Sequence, residues 1–249
     1  MTYHEPDIFY LSIHRTCFED DNNNTNNTRG GGGIEKEEWF YPGTGRPTEV
    51  GAGTGKGTNL NLVWTRSGMG NEEYAAAFAE LVLPVMGEFR PDLILIACGL
   101  DAAKGDLLGD CGLSPDMFYI MTKSLLDQAG ADIPIVAVLE GGYNIGVSAK
   151  CMENVALALL DEPCHNGQYY DLSRYWKHNN NCQCSNKRRA ETASRCIRES
   201  TLAMEGVEEG AHHVEPIGAD PLSVSGNVPF KKRCKLHPEN LSAYEYVLM

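Results

Sequence analysis

The run Leu93-Ile94-Leu95-Ile96-Ala97-Cys98 decides the fold. Six apolar residues without a polar break suit a strand of a parallel sheet, buried on both faces. Working outward, Leu60 to Trp64 reads as a strand before it, and Asn71 is placed to cap the intervening helix. That helix carries Tyr74, Phe78, Leu81, Val82, Val85 and Phe89 at the 3.6-residue period, and Pro84 should kink it. Downstream, Ser114 and Pro115 form a cap followed by a first-turn proline, opening a helix to about Ala129. Ile133 to Leu139 reads as another buried strand and Val147 to Leu160 as another helix. Near the start, Ile8 to Ile13 is β-prone and begins with no turn or cap before it.

An alternating strand and helix order implies an α/β fold with a parallel sheet and flanking helices. Such sheets place ligands beyond the carboxyl ends of their strands, so the residues after Cys98 and Leu139 are the ones to inspect. There Asp101 stands in Cys98-Gly99-Leu100-Asp101-Ala102, where it can bind a metal, orient a base or merely cap a turn. Tyr143 stands in Leu139-Glu140-Gly141-Gly142-Tyr143-Asn144. Its hydroxyl can donate to a developing oxyanion, or its ring can simply pack on a neighbouring loop.

Composition sets limits on the rest. The 249 residues are 42% hydrophobic and 22% charged, enough for one domain with appended polar sequence. A formal net charge of −13 argues against a nucleic-acid surface, which needs clustered Lys and Arg. The nine cysteines form no C-x-x-C pair of a zinc site. No apolar stretch reaches the roughly 18 to 20 residues that cross a bilayer. The run Gly51 to Gly57 is not a phosphate loop, because Val50 stands where a glycine is needed and Gly57 where a hydroxyl is needed. Residues 19–38, with Asn22-Asn23-Asn24 and four glycines at Gly30 to Gly33, read as a low-complexity insertion. From Cys164 to Met249 periodicity fades into Asn, Ser, Gly and Glu, as expected of a disordered polar tail.

Taken together, Ser12-Ile13-His14-Arg15, Phe40-Tyr41-Pro42-Gly43-Thr44-Gly45, the glycine run, Gly99-Leu100-Asp101-Ala102 with Gly105-Asp106, and Leu139 to Asn144 resemble the histone deacetylases in order and spacing. Leu81 to Pro91 and Glu140 resemble class II members. The resemblance covers roughly Tyr3 to Pro163, so residues 1–163 are expected to form part of a deacetylase catalytic domain of the arginase/deacetylase type, and 164–249 the tail. It implies a hydrolase that removes acetyl groups from lysine in proteins with a Zn2+-activated water. Asp101 matches a carboxylate zinc ligand, and Tyr143 the tyrosine that polarises the acetyl carbonyl. Tyr41, Leu108, Gly141 and Gly142 match substrate-pocket positions. Ser12 and the carbonyl of Ile13 match a structural K+ site. Leu108 stands where polyamine-deacetylating relatives carry an acid, which favours acyl-lysine over acetylpolyamine.

The family's Asp-x-His segment and paired histidines lie upstream of the strand that starts here at Ile8. The chain is therefore expected to be a truncated or partial form lacking the N-terminal strands, with an exposed sheet edge, poor solubility and one assignable zinc ligand. His212-His213 lies in sequence that suggests no ordered replacement site. A non-catalytic remnant that binds partner proteins or acyl-lysine is the alternative reading. The resemblance further implies acetylated proteins, histones by family expectation, and corepressor proteins as partners, and a location in the nucleus or cytoplasm. Lys187-Arg188-Arg189 and Lys231-Lys232-Arg233 fit import signals or merely solvated basic runs.

Overall fold

A computed structural model describes residues 2–16, 43–175 and 187–206, and the backbone of 244–248. In chain order the elements are β1 (Ile8–Arg15), β2 (Asn59–Trp64), α1 (Asn71–Ala77), a π turn (Phe78–Val82), α2 (Leu83–Phe89), β3 (Leu93–Cys98), α3 (Pro115–Ala129), β4 (Ile135–Leu139), α4 (Ile145–Leu159), α5 (Lys187–Glu205) and β5 (Tyr244–Leu248). Every strand pairing is parallel, in the order β2-β1-β5-β3-β4. The α/β sheet expected from the sequence is present. Among the described residues no helix is long and apolar enough to cross a membrane.

One face of the sheet is closed along β1, β2 and β3, and opens at the edge strand β4, where Leu139 is 58% exposed. Phe9, Leu11, Ile13, Leu60, Leu62, Trp64, Ile94, Ile96 and Cys98 are all buried there, and register keeps them on one side because side chains alternate along each strand. Phe89 of α2 meets Phe9 at 5.2 Å between ring centroids, and Tyr74 of α1 meets Trp64 at 5.5 Å. The other face differs from expectation at β3 and β4. Leu93, Leu95 and Ala97 are half-buried, and Val136 and Val138 are 46% and 50% exposed. The apolar composition that suggested burial on both faces is therefore satisfied on one face only among the described residues.

Two local details correct the sequence reading. Gly70, not Asn71, occupies the cap position of α1, and Glu73 accepts the Gly70 N–H at 2.7 Å. Asn71 instead holds Ser114 at the start of α3, accepting its N–H and donating to its hydroxyl, both at 2.9 Å. The kink expected at Pro84 is a π turn in which Leu83 N–H reaches Phe78 O. Proline has no N–H to continue the α ladder, so the register change falls just before it.

The segment after Cys164 is the larger correction. Residues 187–205 form a 19-residue helix rather than disordered tail. Its Ala193, Cys196, Ile197, Ser200 and Met204 are buried, and Ser200 Oγ donates to Asn61 O of β2 at 2.9 Å. Arg189, read as part of a basic run that fits an import signal or a solvated face, donates to Gly68 O at 2.7 Å and pairs with buried Glu73 at 3.3 Å. The spacing of small and apolar residues gives this helix a narrow buried stripe beneath a charged face. The second basic run and His212-His213 lie outside the described residues.

Candidate functional site

Parallel pairing of β3 and β4 brings their carboxyl ends together, with Cys98 opposite Leu139. The loops that follow are tied by backbone bonds: Glu140 N–H to Cys98 O at 3.1 Å and Leu100 N–H to Gly141 O at 2.9 Å. Asp101 and Tyr143 therefore leave the same edge of the sheet. Asp101 is half-buried. Burial raises its pKa above 3.8 and nearby Asp106 adds to the rise, while its own and Ala102's N–H and the Arg15 guanidinium oppose it. Tyr143 is 52% exposed, and its ring folds back toward Gly141.

The loop from Gly105 to Asp110 closes against both residues. Asp106 Oδ1 accepts Leu108 N–H at 2.8 Å and Gly109 N–H at 3.0 Å, and its Oδ2 accepts Tyr143 N–H at 2.6 Å. Burial works to raise the Asp106 pKa, but these N–H donors, with that of Asn144, outweigh it and hold the carboxyl below 3.8. Gly109 lies directly against the Asp101 carbonyl, where a Cβ would have no room. Arg15, at the end of β1, reaches across to Asp110 Oδ2 at 3.2 Å and Leu108 O at 3.5 Å.

Of the remaining sequence-predicted positions, Leu108, Gly141 and Gly142 lie in the loops at this edge. Leu108 is 59% exposed beside Leu107 at 74%. Gly142 has φ 145°, and a Cβ there would meet Ser148 Oγ at 2.5 Å, so glycine is required. Gly141 and Gly142 line an open groove of about 790 Å³ with Leu139, Ile145, Ser148 and Met152. Tyr41 lies outside the described residues. Ser12 and Ile13 are buried in β1. Ser12 Oγ is 2.7 Å from His14 Nδ1, and His14 Nε2 is 2.8 Å from Gly45 O. Only a protonated Nε2 can face a carbonyl, so Nδ1 accepts from the serine hydroxyl. Burial holds the His14 pKa below 6.5, which keeps that ring neutral.

Among the described residues no three His, Cys, Asp or Glu side chains converge on one point. A tetrahedral metal site that included Asp101 would need further donors from outside these residues. The roles of Asp106 and Arg15 were not read from the sequence. The Gly105-Asp106 pair marked the position, but spacing alone does not tell which amides a carboxylate accepts.

A parallel α/β sheet with a carboxylate and a tyrosine at adjoining strand ends is a fold class shared by many enzymes. Comparison with known proteins narrows it. The histone deacetylase domain profile matches residues 1–159. Histone deacetylase HDA1 of Candida albicans is 37% identical over 166 residues, covering 66% of this chain and 17% of that protein. Human histone deacetylase 7 is 37% identical over 163 residues, covering 64% and 15%. The solved structure of the histone deacetylase Clr3 superposes with a TM-score of 0.62 and 29% identity, covering 90% of this chain and 32% of that one. The chain belongs to the histone deacetylase family and is class II-like in sequence. It spans about a sixth of the length of these curated relatives.

Proposed function

We propose that this chain contributes the Asp101 and Tyr143 side of a zinc-dependent deacetylase acting on acetyl-lysine in proteins. The observation that carries this reading is the cross-tied pair of loops at the ends of β3 and β4, which present a carboxylate and a phenol hydroxyl from one edge. Asp101 would serve as one zinc ligand. Bound zinc would supply a water ionised near neutral pH. Tyr143 would donate its hydroxyl proton in a hydrogen bond to the carbonyl oxygen as negative charge develops there. One such donor contributes about 3 kcal/mol to the barrier, or roughly 100-fold in rate.

Gly141, Gly142, Leu108 and Tyr41 would flank the acyl-lysine, and Ser12 with the Ile13 carbonyl would hold a potassium ion. Exposed Leu107 and Leu108 offer an apolar rim, with leucine at the position where polyamine-deacetylating relatives carry an acid. Histones are the natural substrates by family, with action in the nucleus or cytoplasm and corepressor proteins as partners. The second reading is a non-catalytic remnant that binds partner proteins or acyl-lysine.

The test is hydrolysis of a fluorogenic acetyl-lysine peptide with added zinc, using the 249-residue chain alone and extended by any upstream coding sequence. Zinc-dependent turnover in either form, reduced about 100-fold by Tyr143→Phe, supports the enzyme. Preference for acetylated over unmodified peptide in binding, with no turnover in either form, supports the second reading.

A further inference from the structure

Tyr143 presents a problem of positioning. A hydroxyl that stabilises an oxyanion has to be held to within about half an ångström. Yet this side chain is 52% exposed, so packing alone does not fix it. What fixes the residue is its backbone. Tyr143 N–H donates to Asp106 Oδ2 at 2.6 Å, a short bond to a charged acceptor and thus of the stronger kind. The next residue adds a second tie, since Asn144 Nδ2 donates to Gly105 O at 2.8 Å. Both ties end on the same loop.

The other oxygen of Asp106 folds that loop, taking Leu108 and Gly109 N–H. Gly109 in turn lies against the Asp101 carbonyl. One carboxylate therefore shapes the turn that touches Asp101 and grips the residue that carries the phenol, 37 positions away in sequence. We propose that Asp106 is a positioning residue that sets Tyr143 relative to Asp101 through these two oxygens. This rests on the reading of Tyr143 as the oxyanion donor. The carboxylate form matters because both oxygens accept. An asparagine offers one acceptor and one donor; with its oxygen taken by the two N–H groups that fold the loop, its amide nitrogen faces the Tyr143 N–H and cannot accept it.

The experiment compares the full chain with Asp106→Asn and Asp106→Ala, with Asp106→Asn chosen because it preserves size and the local turn. Two readouts are taken: hydrogen exchange of the Tyr143 amide, and kcat and KM separately in whichever form of the protein turns over. In Asp106→Asn the amide should exchange at least about 10-fold faster with the melting temperature little changed. Its kcat should fall about 10- to 100-fold while KM stays within about twofold, since a small misplacement costs the transition state more than binding. Unchanged protection of the Tyr143 amide in both variants would overturn the proposal. So would a freed amide with kcat intact, or a loss confined to KM. If no form of the wild-type protein turns over, the deacetylase reading fails on its own, and the exchange measurement still decides whether Asp106 holds Tyr143.

Discussion

The two ends of the sheet are covered differently. At β1 and β2 both faces are closed: Leu11, Leu60, Leu62 and Trp64 on one side, Ser12, Asn59, Asn61 and Val63 on the other, all buried. Two of the buried amides there are tied to one carbonyl: Asn59 and Asn61 donate to Glu49 O at 2.5 and 3.0 Å. At β3 and β4 one face is packed while Val136 and Val138 stand half in solvent. The loops bearing Asp101 and Tyr143 belong to this second end. The residues proposed for chemistry thus sit where one sheet face is left partly open, while Cys98, Leu100 and Ala103 beside Asp101 anchor the same loop in the core.

Mutations should separate the two ends. Trp64→Ala at the closed end is expected to cost about 3 to 5 kcal/mol in denaturant unfolding, whereas Val138→Ala at the open end should cost under about 1. Equal losses would break the contrast. Arg189→Ala comes next. It leaves the Glu73 carboxylate, which has no exposed surface, without the guanidinium 3.3 Å away. A loss of about 3 kcal/mol is expected. A change below about 0.5 kcal/mol would mean that α5 does not help close this end.

The smallest effect is one of pH. His14 has a folded pKa below 6.5, so as pH falls through 6.5 the unfolded chain takes up a proton before the folded one does. Its contribution to stability is complete above 6.5 and declines as pH drops toward the folded value. Thermal melts between pH 7.5 and 5.5 should therefore show falling stability, with a shallower slope in His14→Gln. An unchanged slope would show that His14 is not the group responsible.

Much of the fold could be read directly. The strand Leu93–Cys98 and the helix Pro115–Ala129 have the bounds their apolar run, cap and first-turn proline imply. The helix Lys187–Glu205 was missed because its buried stripe consists of small or weakly apolar residues such as Ala193, Cys196 and Ser200. Its charged face outweighed them in composition. Asp101 and Tyr143 stand out in the sequence because strand ends are where parallel sheets bind ligands, and the roles proposed for them come from the family resemblance. Nothing in the sequence around Asp106 assigns it a task, because its significance lies in which amides approach it. The π turn escaped for a similar reason: a proline announces a break in the ladder without saying which form it takes.

The strand Tyr244–Leu248 has a consequence for how the sheet is assembled. It pairs with β1 on one side and β3 on the other, and β1 and β3 do not pair with each other. The β1–β2 and β3–β4 pairs can each form from nearer stretches of chain. Joining them needs a segment more than two hundred positions from Ile8. Closing so long a loop comes late, so folding should show a slow final phase limited by this strand's arrival. Until then the inner edges of both pairs stand open to any other extended chain, which makes the half-assembled sheet the species most prone to aggregate.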